Sequence, residues 1–100
     1  MSVWEVVQLT VASGSEDELE AVVREHAPKL KSAKGCYDVR LLRAVDKDGV
    51  LLMLVEWESV ERHTEWFATS SDAANLSRSI RAFVTERPAA MHVKPVIGEL

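Results

Sequence analysis

The sequence predicts an α+β domain with the split order β-α-β-β-α-β, on three observations. Residues 3–11 alternate as a strand does, residues 50–57 form an apolar run entered through an Asp-Gly turn, and residues 15–34 and 76–84 carry apolar side chains at helical spacing. The 100 residues, 47% of them hydrophobic, suit one domain over residues 1–100 and leave no room for a second.

In the first strand Val3, Val7, Leu9 and Val11 fall on one face and Trp4, Val6, Gln8 and Thr10 on the other. Apolar residues on both faces imply cover on both sides, a first indication of a partner. Ser13, Gly14 and Ser15 supply turn chemistry, and Ser15 with Glu18 three positions on forms a capping-box pattern. Leu19, Val22, Val23, His26, Ala27 and Leu30 then mark one stripe of a helix, with Lys29, Lys31 and Lys34 near its C-terminal end, as the macrodipole favours. Pro28 lies inside this pattern and cannot donate to the carbonyl of Arg24, so a bend is expected there.

Lys34-Gly35 closes the helix and Tyr37 to Val45 have strand residue types. Asp46-Lys47-Asp48-Gly49 turns the chain into the third strand, Val50 to Trp57, which must be central because consecutive positions are apolar. Ser59 caps a short helix through Phe67, residues 69–75 read as loop or a broken turn, and Leu76, Ile80, Phe83 and Val84 mark a further helix stopped by Arg87-Pro88. Residues 90–97 return as a last strand, with Pro95 placing that end at a sheet edge or at a bulge.

Composition removes several functions. Twelve Lys and Arg are scattered among sixteen Asp and Glu, which argues against a nucleic-acid partner. The longest apolar stretch, Val50 to Val55, is far short of the roughly 20 residues that span a bilayer, so no membrane association is expected. A lone Cys36 excludes an internal disulfide and a C-x-x-C site, and no export signal precedes Val3; both point to a cytoplasmic protein. No metal-ligand spacing, glycine-rich nucleotide loop or flavin fingerprint is present, so no cofactor and no metal are expected.

The segment LLMLVEWESVERHTEWF, residues 51–67, resembles the signature of antibiotic biosynthesis monooxygenase domains, in which a strand ends in Trp-Glu-Ser and a helix with an aromatic core follows. The turn Ser13-Gly14-Ser15, the stretch His26-Ala27-Pro28, Gly35 and the closing Lys94-Pro95-Val96 fall in register with the same family, so the resemblance spans nearly the whole chain. It implies a ferredoxin-like four-stranded antiparallel sheet with helices on one face, and a homodimer whose open sheet faces meet as an α/β barrel. Members of the family include cofactor-independent oxygenases of anthrones and quinols, haem-degrading enzymes and proteins of no assigned activity, so the fold alone does not fix the function.

The resemblance also places candidate site residues. In the third strand Leu51, Met53, Val55 and Trp57 share the helix-facing side, and Trp57 matches the family's pocket tryptophan; it reads equally as an aromatic core anchor and as a substrate-stacking residue. Met53 takes the place of an asparagine and His63 that of a tyrosine in the anthrone oxygenases, with Arg81 or Arg78 as the cation. The haem-degrading arrangement finds only Trp66; Val7 stands where its asparagine would be and Leu76-Ser77 where its axial histidine would be. His63, Trp66 and Phe67 lie three or four positions apart on one helix, and with Phe83 complete the expected aromatic wall.

The chemistry follows from these groups. A phenol can react with oxygen without a metal once it is deprotonated, given an apolar pocket, a proton acceptor and a cation for the anion; His63 and Arg81 are the candidates for the last two. His26, on the apolar stripe, reads as a satisfied buried histidine, His92 as structural or at a dimer interface, and Cys36 as a small strand residue. The expectation is a cofactor-independent monooxygenase of a small aromatic quinol or anthrone. The rival is a module of the same fold that binds a hydrophobic small molecule or haem without catalysis, haem then needing a relocated ligand such as His63 or His26.

Overall fold

The computed structural model describes residues 2–100, in the order β1 (Val3–Thr10), α1 (Glu16–Lys31), β2 (Cys36–Arg43), β3 (Val50–Trp57), a π-helical turn (Arg62–Phe67), α2 (Ser71–Arg81) and β4 (Ala89–Val93). The strands form one four-stranded antiparallel sheet in the order β2-β3-β1-β4. Each helical crossover therefore joins parallel strands with a third between them: α1 links β1 to β2 around β3, and α2 links β3 to β4 around β1. This is the ferredoxin-like βαββαβ fold.

Register decides what the helices meet. Glu5 pairs with Val55 on one side and His92 on the other, with Val39 beyond Val55, while Val7, Met53, Leu41 and Ala90 form the next row on the same face. Alternation turns the intervening residues the other way: Trp4 beside Glu56 and Val93, Val6 beside Leu54 and Met91. The helix-facing rows supply the core, in which Leu9, Leu51, Val55 and Trp57 are fully buried against Leu19 and Val23 of α1 and Ile80 of α2.

Several boundaries differ from the sequence expectation, each for a local reason. Ser15 makes no side-chain cap, because its φ of −101° and ψ of 6° are not the extended geometry that aims an N-cap hydroxyl at the first turn. Glu16 serves instead: its carboxylate accepts from the amides of Gly14 at 2.7 Å and Gly49 at 3.0 Å, fastening the start of α1 to the β2–β3 turn. Its own amide, then those of Gly49 and Gly14, hold the Glu16 carboxyl below the usual glutamate value of 4.5. Pro28 falls in the last turn, so its missing amide costs a rung near the end of α1 rather than mid-helix, and the helix stops at Lys31 rather than at Lys34.

The expected loop over residues 69–75 is mostly helix. Ser70 is extended (φ −84°, ψ 160°) and its Oγ accepts from the Ala73 amide at 3.1 Å, so α2 begins at Ser71 although its first turn has little apolar content. β2 starts at Cys36, one residue early, through an irregular pairing between Cys36 and Asp38, and ends at Arg43. β4 stops at Val93, ahead of Pro95, on the sheet edge beside β1. The hairpin turn depends on Gly49: its φ is +74°, a Cβ there would lie 2.2 Å from the Val11 carbonyl oxygen, and its own carbonyl accepts from the Val11 amide at 2.8 Å. Among the described residues no helix is long and apolar enough to cross a membrane.

Candidate active site

A pocket of about 310 Å³ opens between the helix face of the sheet and the helices. Glu5 and Val7 of β1, Met53 of β3 and Ala90 of β4 form its floor, and Leu30, His63, Phe67, Leu76, Ile80 and Arg81 stand around it. The π-helical turn brings two of these groups in. Ser59 Oγ accepts from the Arg62 amide at 3.3 Å at the start of this segment, and the wider π geometry carries His63 and Phe67 over Trp57. The His63 ring stacks on Trp57 with centroids 5.2 Å apart and planes at 19°, and Phe67 leans on the same indole at 5.5 Å.

One end of the pocket is polar. Glu5 is 9% exposed on the apolar face of β1, and its two oxygens are each engaged: Trp57 Nε1 donates to Oε1 at 3.1 Å, and His63 Nε2 lies 3.3 Å from Oε2. His63 Nδ1 is 2.8 Å from His92 Nε2. Of these two ring nitrogens one donates and the other accepts. Burial pushes the His63 pKa below its ordinary 6.5; Glu5 opposes that shift and His92 adds to it. The arrangement is a continuous chain, Trp57–Glu5–His63–His92, running from the core to the edge strand, and no buried side-chain polar atom among the described residues lacks a partner.

Of the residues singled out from the sequence, Met53, His63, Phe67 and Arg81 line this pocket. Arg81 is exposed at the rim and donates to Ser77 Oγ at 3.3 Å. Trp57 does not line it: the indole is wholly buried behind His63, and its part in the site is the Nε1–H it gives Glu5. Trp66 is elsewhere, 57% exposed, with the Lys34 and Arg62 cations 5.9 Å and 5.2 Å from its ring centroid; the π geometry that turns Phe67 inward turns its neighbour out. Phe83 packs half-buried against the core beyond the end of α2 and is not part of the pocket wall. Arg78 faces outward and holds Asn75.

Two site residues were not anticipated in that role. His92 looks inward to His63, because its register opposite Glu5 puts it on the helix face. Glu5 had a signal in the sequence: it is the charged residue standing between Val3 and Val7 on the otherwise apolar face of β1. His26 Nε2 pairs with Ser79 Oγ at 3.2 Å, joining α1 to α2. Burial raises the Cys36 thiol to about 11, which leaves little thiolate at neutral pH. Among the described residues no group of three or more His, Cys, Asp or Glu is placed to hold a metal ion.

Known proteins share this architecture. The uncharacterized protein YczJ of Bacillus subtilis is 33% identical over 92 residues, 92% of this chain and 97% of YczJ. A Bordetella bronchiseptica structure named for antibiotic biosynthesis monooxygenase superposes with a TM-score of 0.90 at 27% identity, over 96% of this chain and 98% of its own. SnoaB, a cofactor-independent oxygenase from Streptomyces nogalater, has the same fold, with a TM-score of 0.81 at 22% identity over 97% and 95% of the two chains. The sequence profile of one family, antibiotic biosynthesis monooxygenase, matches residues 2–83, and to that family the chain belongs.

Proposed function

We propose that the chain is a homodimeric, cofactor-independent oxygenase acting on a small aromatic quinol or anthrone in the cytoplasm. The observation that carries this reading is the placement of Glu5 and His63, 3.3 Å apart, at one end of an otherwise apolar pocket with Arg81 at its rim. The pair accepts the substrate's acidic proton, the low-dielectric walls of Val7, Met53, Phe67 and Ile80 hold the flat ring, and Arg81 attracts the anion that forms. The resulting carbanion or phenolate gives its electrons to dioxygen; in an anthrone the methylene carbon gains one oxygen as a carbonyl and the other leaves as water.

The likeness to SnoaB in fold and the family membership support the reaction class. The dimer is supported by the sheet face away from the helices, where Val6, Leu52 and Leu54 are only partly covered and Met91 is 62% exposed. The rival, a binder without catalysis, is favoured by Met53, an apolar side chain where the resemblance calls for asparagine. For haem the fit is poor: both ring nitrogens of His63 already have partners, and His26 Nε2 is turned to Ser79.

Oxygen uptake by the metal-free protein, measured with a panel of quinols and anthrones, decides between the two. Turnover proportional to enzyme concentration is the expected result. Tight binding of the same compounds with no uptake assigns the chain to the non-catalytic module.

A further inference from the structure

We propose that Glu5, rather than His63, is the group that meets the substrate hydroxyl and takes its proton, with His63 and His92 holding the carboxylate in place. The inference rests on the oxygenase reading above for its chemistry and on the neighbours of Glu5 and His63 for its assignment. His63 Nδ1 is hydrogen-bonded to His92 at 2.8 Å, and Nε2 faces the Glu5 carboxylate at 3.3 Å, so neither nitrogen opens freely to a ligand. A substrate hydroxyl that approaches His63 must displace one of these neighbours. Glu5 has no such restriction: a carboxylate offers about four acceptor positions, of which Trp57 fills one and His63 stands 3.3 Å from a second. The remaining positions belong to a residue that itself lines the pocket.

The groups facing Glu5 suit this part. β3 contributes the Trp57 donor, the π-helical turn contributes His63, β4 contributes His92 behind it, and α1 contributes only the apolar Leu30. Arg81 of α2 is the other charged side chain in the lining. In the step itself the substrate O–H bond breaks, its electron pair stays on the substrate oxygen, and the proton forms a new O–H bond on Glu5. Negative charge thereby moves from the β1 carboxylate to the ligand. The water formed from dioxygen takes up the proton at the end of the cycle and Glu5 returns to its ionised form. His63 is a positioning residue in this scheme, a donor that keeps the carboxylate aimed.

The ligand class follows: a flat apolar molecule with a donor hydroxyl at its deep end, which Glu5 binds in the protonated form. para-Nitrophenol reports this by colour, because its phenolate absorbs in the visible. Bound to the wild-type protein its apparent pKa should rise by about one unit, tenfold in the phenol-to-phenolate ratio, since an anion is repelled by Glu5. Glu5→Gln keeps an acceptor for Trp57 and should abolish the rise. His63→Gln keeps a donor to Glu5 and should preserve it. Where the wild type oxidises a quinol, Glu5→Gln should lower turnover by about 10²–10⁴-fold and His63→Gln by about tenfold or less. Circular dichroism checks folding, and should Glu5→Gln not fold, Glu5→Asp serves: it keeps the charge one methylene short and should give a reduced rise. Failure of the wild type to bind para-nitrophenol, a rise that survives Glu5→Gln, an undiminished rise in Glu5→Asp, or a rise lost in His63→Gln overturns the proposal. A pKa rise without oxygen uptake from any quinol leaves Glu5 as the hydroxyl-binding group and overturns the oxygenase reading instead.

Discussion

On the helix side of the sheet Leu9, Leu51, Val55 and Trp57 are 1% exposed or less, whereas on the opposite side Leu42 keeps 45% and Met91 62% of its surface in contact with solvent. The same strands build both faces, and alternation gave both of them apolar residues. The chain carries helix enough to cover only one. On the covered face a charged residue, Glu5, is tolerated with Trp57 donating to one oxygen and His63 3.3 Å from the other. On the open face the polar residues work at the surface: Arg40 lies across Trp4, 4.9 Å from the ring centroid, and pairs with Asp38 at 3.0 Å. The pocket is thus lined from the covered face and its helices, while the face behind it keeps large apolar side chains in solvent.

The largest expected effect is on the covered face. Trp57→Ala removes a fully buried indole, the stacking surface of His63 and Phe67, and a donor to Glu5, so it should destabilise the fold by about 3–5 kcal/mol. Urea unfolding measures this. A loss below about 1 kcal/mol would mean that the core closes over the gap and that the two faces differ less than their exposure indicates.

Leu54→Lys tests the open face. The side chain is half-covered, on the strand face away from the helices, and pairs across the sheet with Val6 and Arg40. In an isolated chain the change should cost about 0.5 kcal/mol or less, yet two such faces brought together would bury unpaired ammonium groups. Light scattering should show wild-type dimers and Leu54→Lys monomers of 11.1 kDa. Wild-type protein that scatters as a monomer at micromolar concentration removes the dimer from the proposed function.

The contrast between faces was largely legible in the sequence, because it rests on period-two alternation and on an apolar run too continuous for an edge strand. Asp48-Gly49 gave the hairpin for the same reason: a local turn signal needs no tertiary information. The site was legible only in part. The family resemblance pointed to Met53, His63 and Arg81, and helical spacing added Phe67, but Trp66 was placed on the wrong side because an α-helical projection does not describe a π-helical turn. His92 and Glu5 meet through the β1–β4 register, a pairing over 87 residues of chain that no local pattern encodes. Ser70 was hidden by a first helical turn of small polar residues, which sequence periodicity reads as loop.

The covered face should also respond to acid. The His63 pKa is lowered in the folded chain, chiefly by burial, from an ordinary value of 6.5. As pH falls through 6.5 the unfolded chain takes up a proton at this position before the folded chain does, so stability declines over the interval down to the lowered folded value. His63→Gln removes the difference in proton uptake. The unfolding midpoint of the wild type should therefore fall from pH 7 to pH 5 more steeply than that of His63→Gln. Equal slopes would show that His63 titrates alike in both states. Glu16 acts at lower pH on the solvent-exposed hairpin clamp: its folded pKa lies below 4.5, so its contribution is present above that value and lost as pH drops through the folded one.

The smallest expected effect sharpens the boundary of the pocket. Trp66 is adjacent in sequence to Phe67, which lines the pocket, and three residues from His63, so linear reasoning puts all three around a ligand. Its ring instead lies at the surface beside Lys34 and Arg62, with 57% of its area in contact with solvent. Two exposed cation–π contacts are worth about 0.5–1 kcal/mol each at most, and solvent screens them. Trp66→Ala should shift stability by about 1 kcal/mol or less and leave the affinity for a phenolic ligand unchanged, whereas Phe67→Ala should weaken both. Titration of the two variants with para-nitrophenol, monitored by absorbance, makes the comparison. A severalfold loss of affinity in Trp66→Ala would extend the binding surface outward past the π-helical turn, and the pocket would then have to be redrawn with Trp66 closing over its ligand.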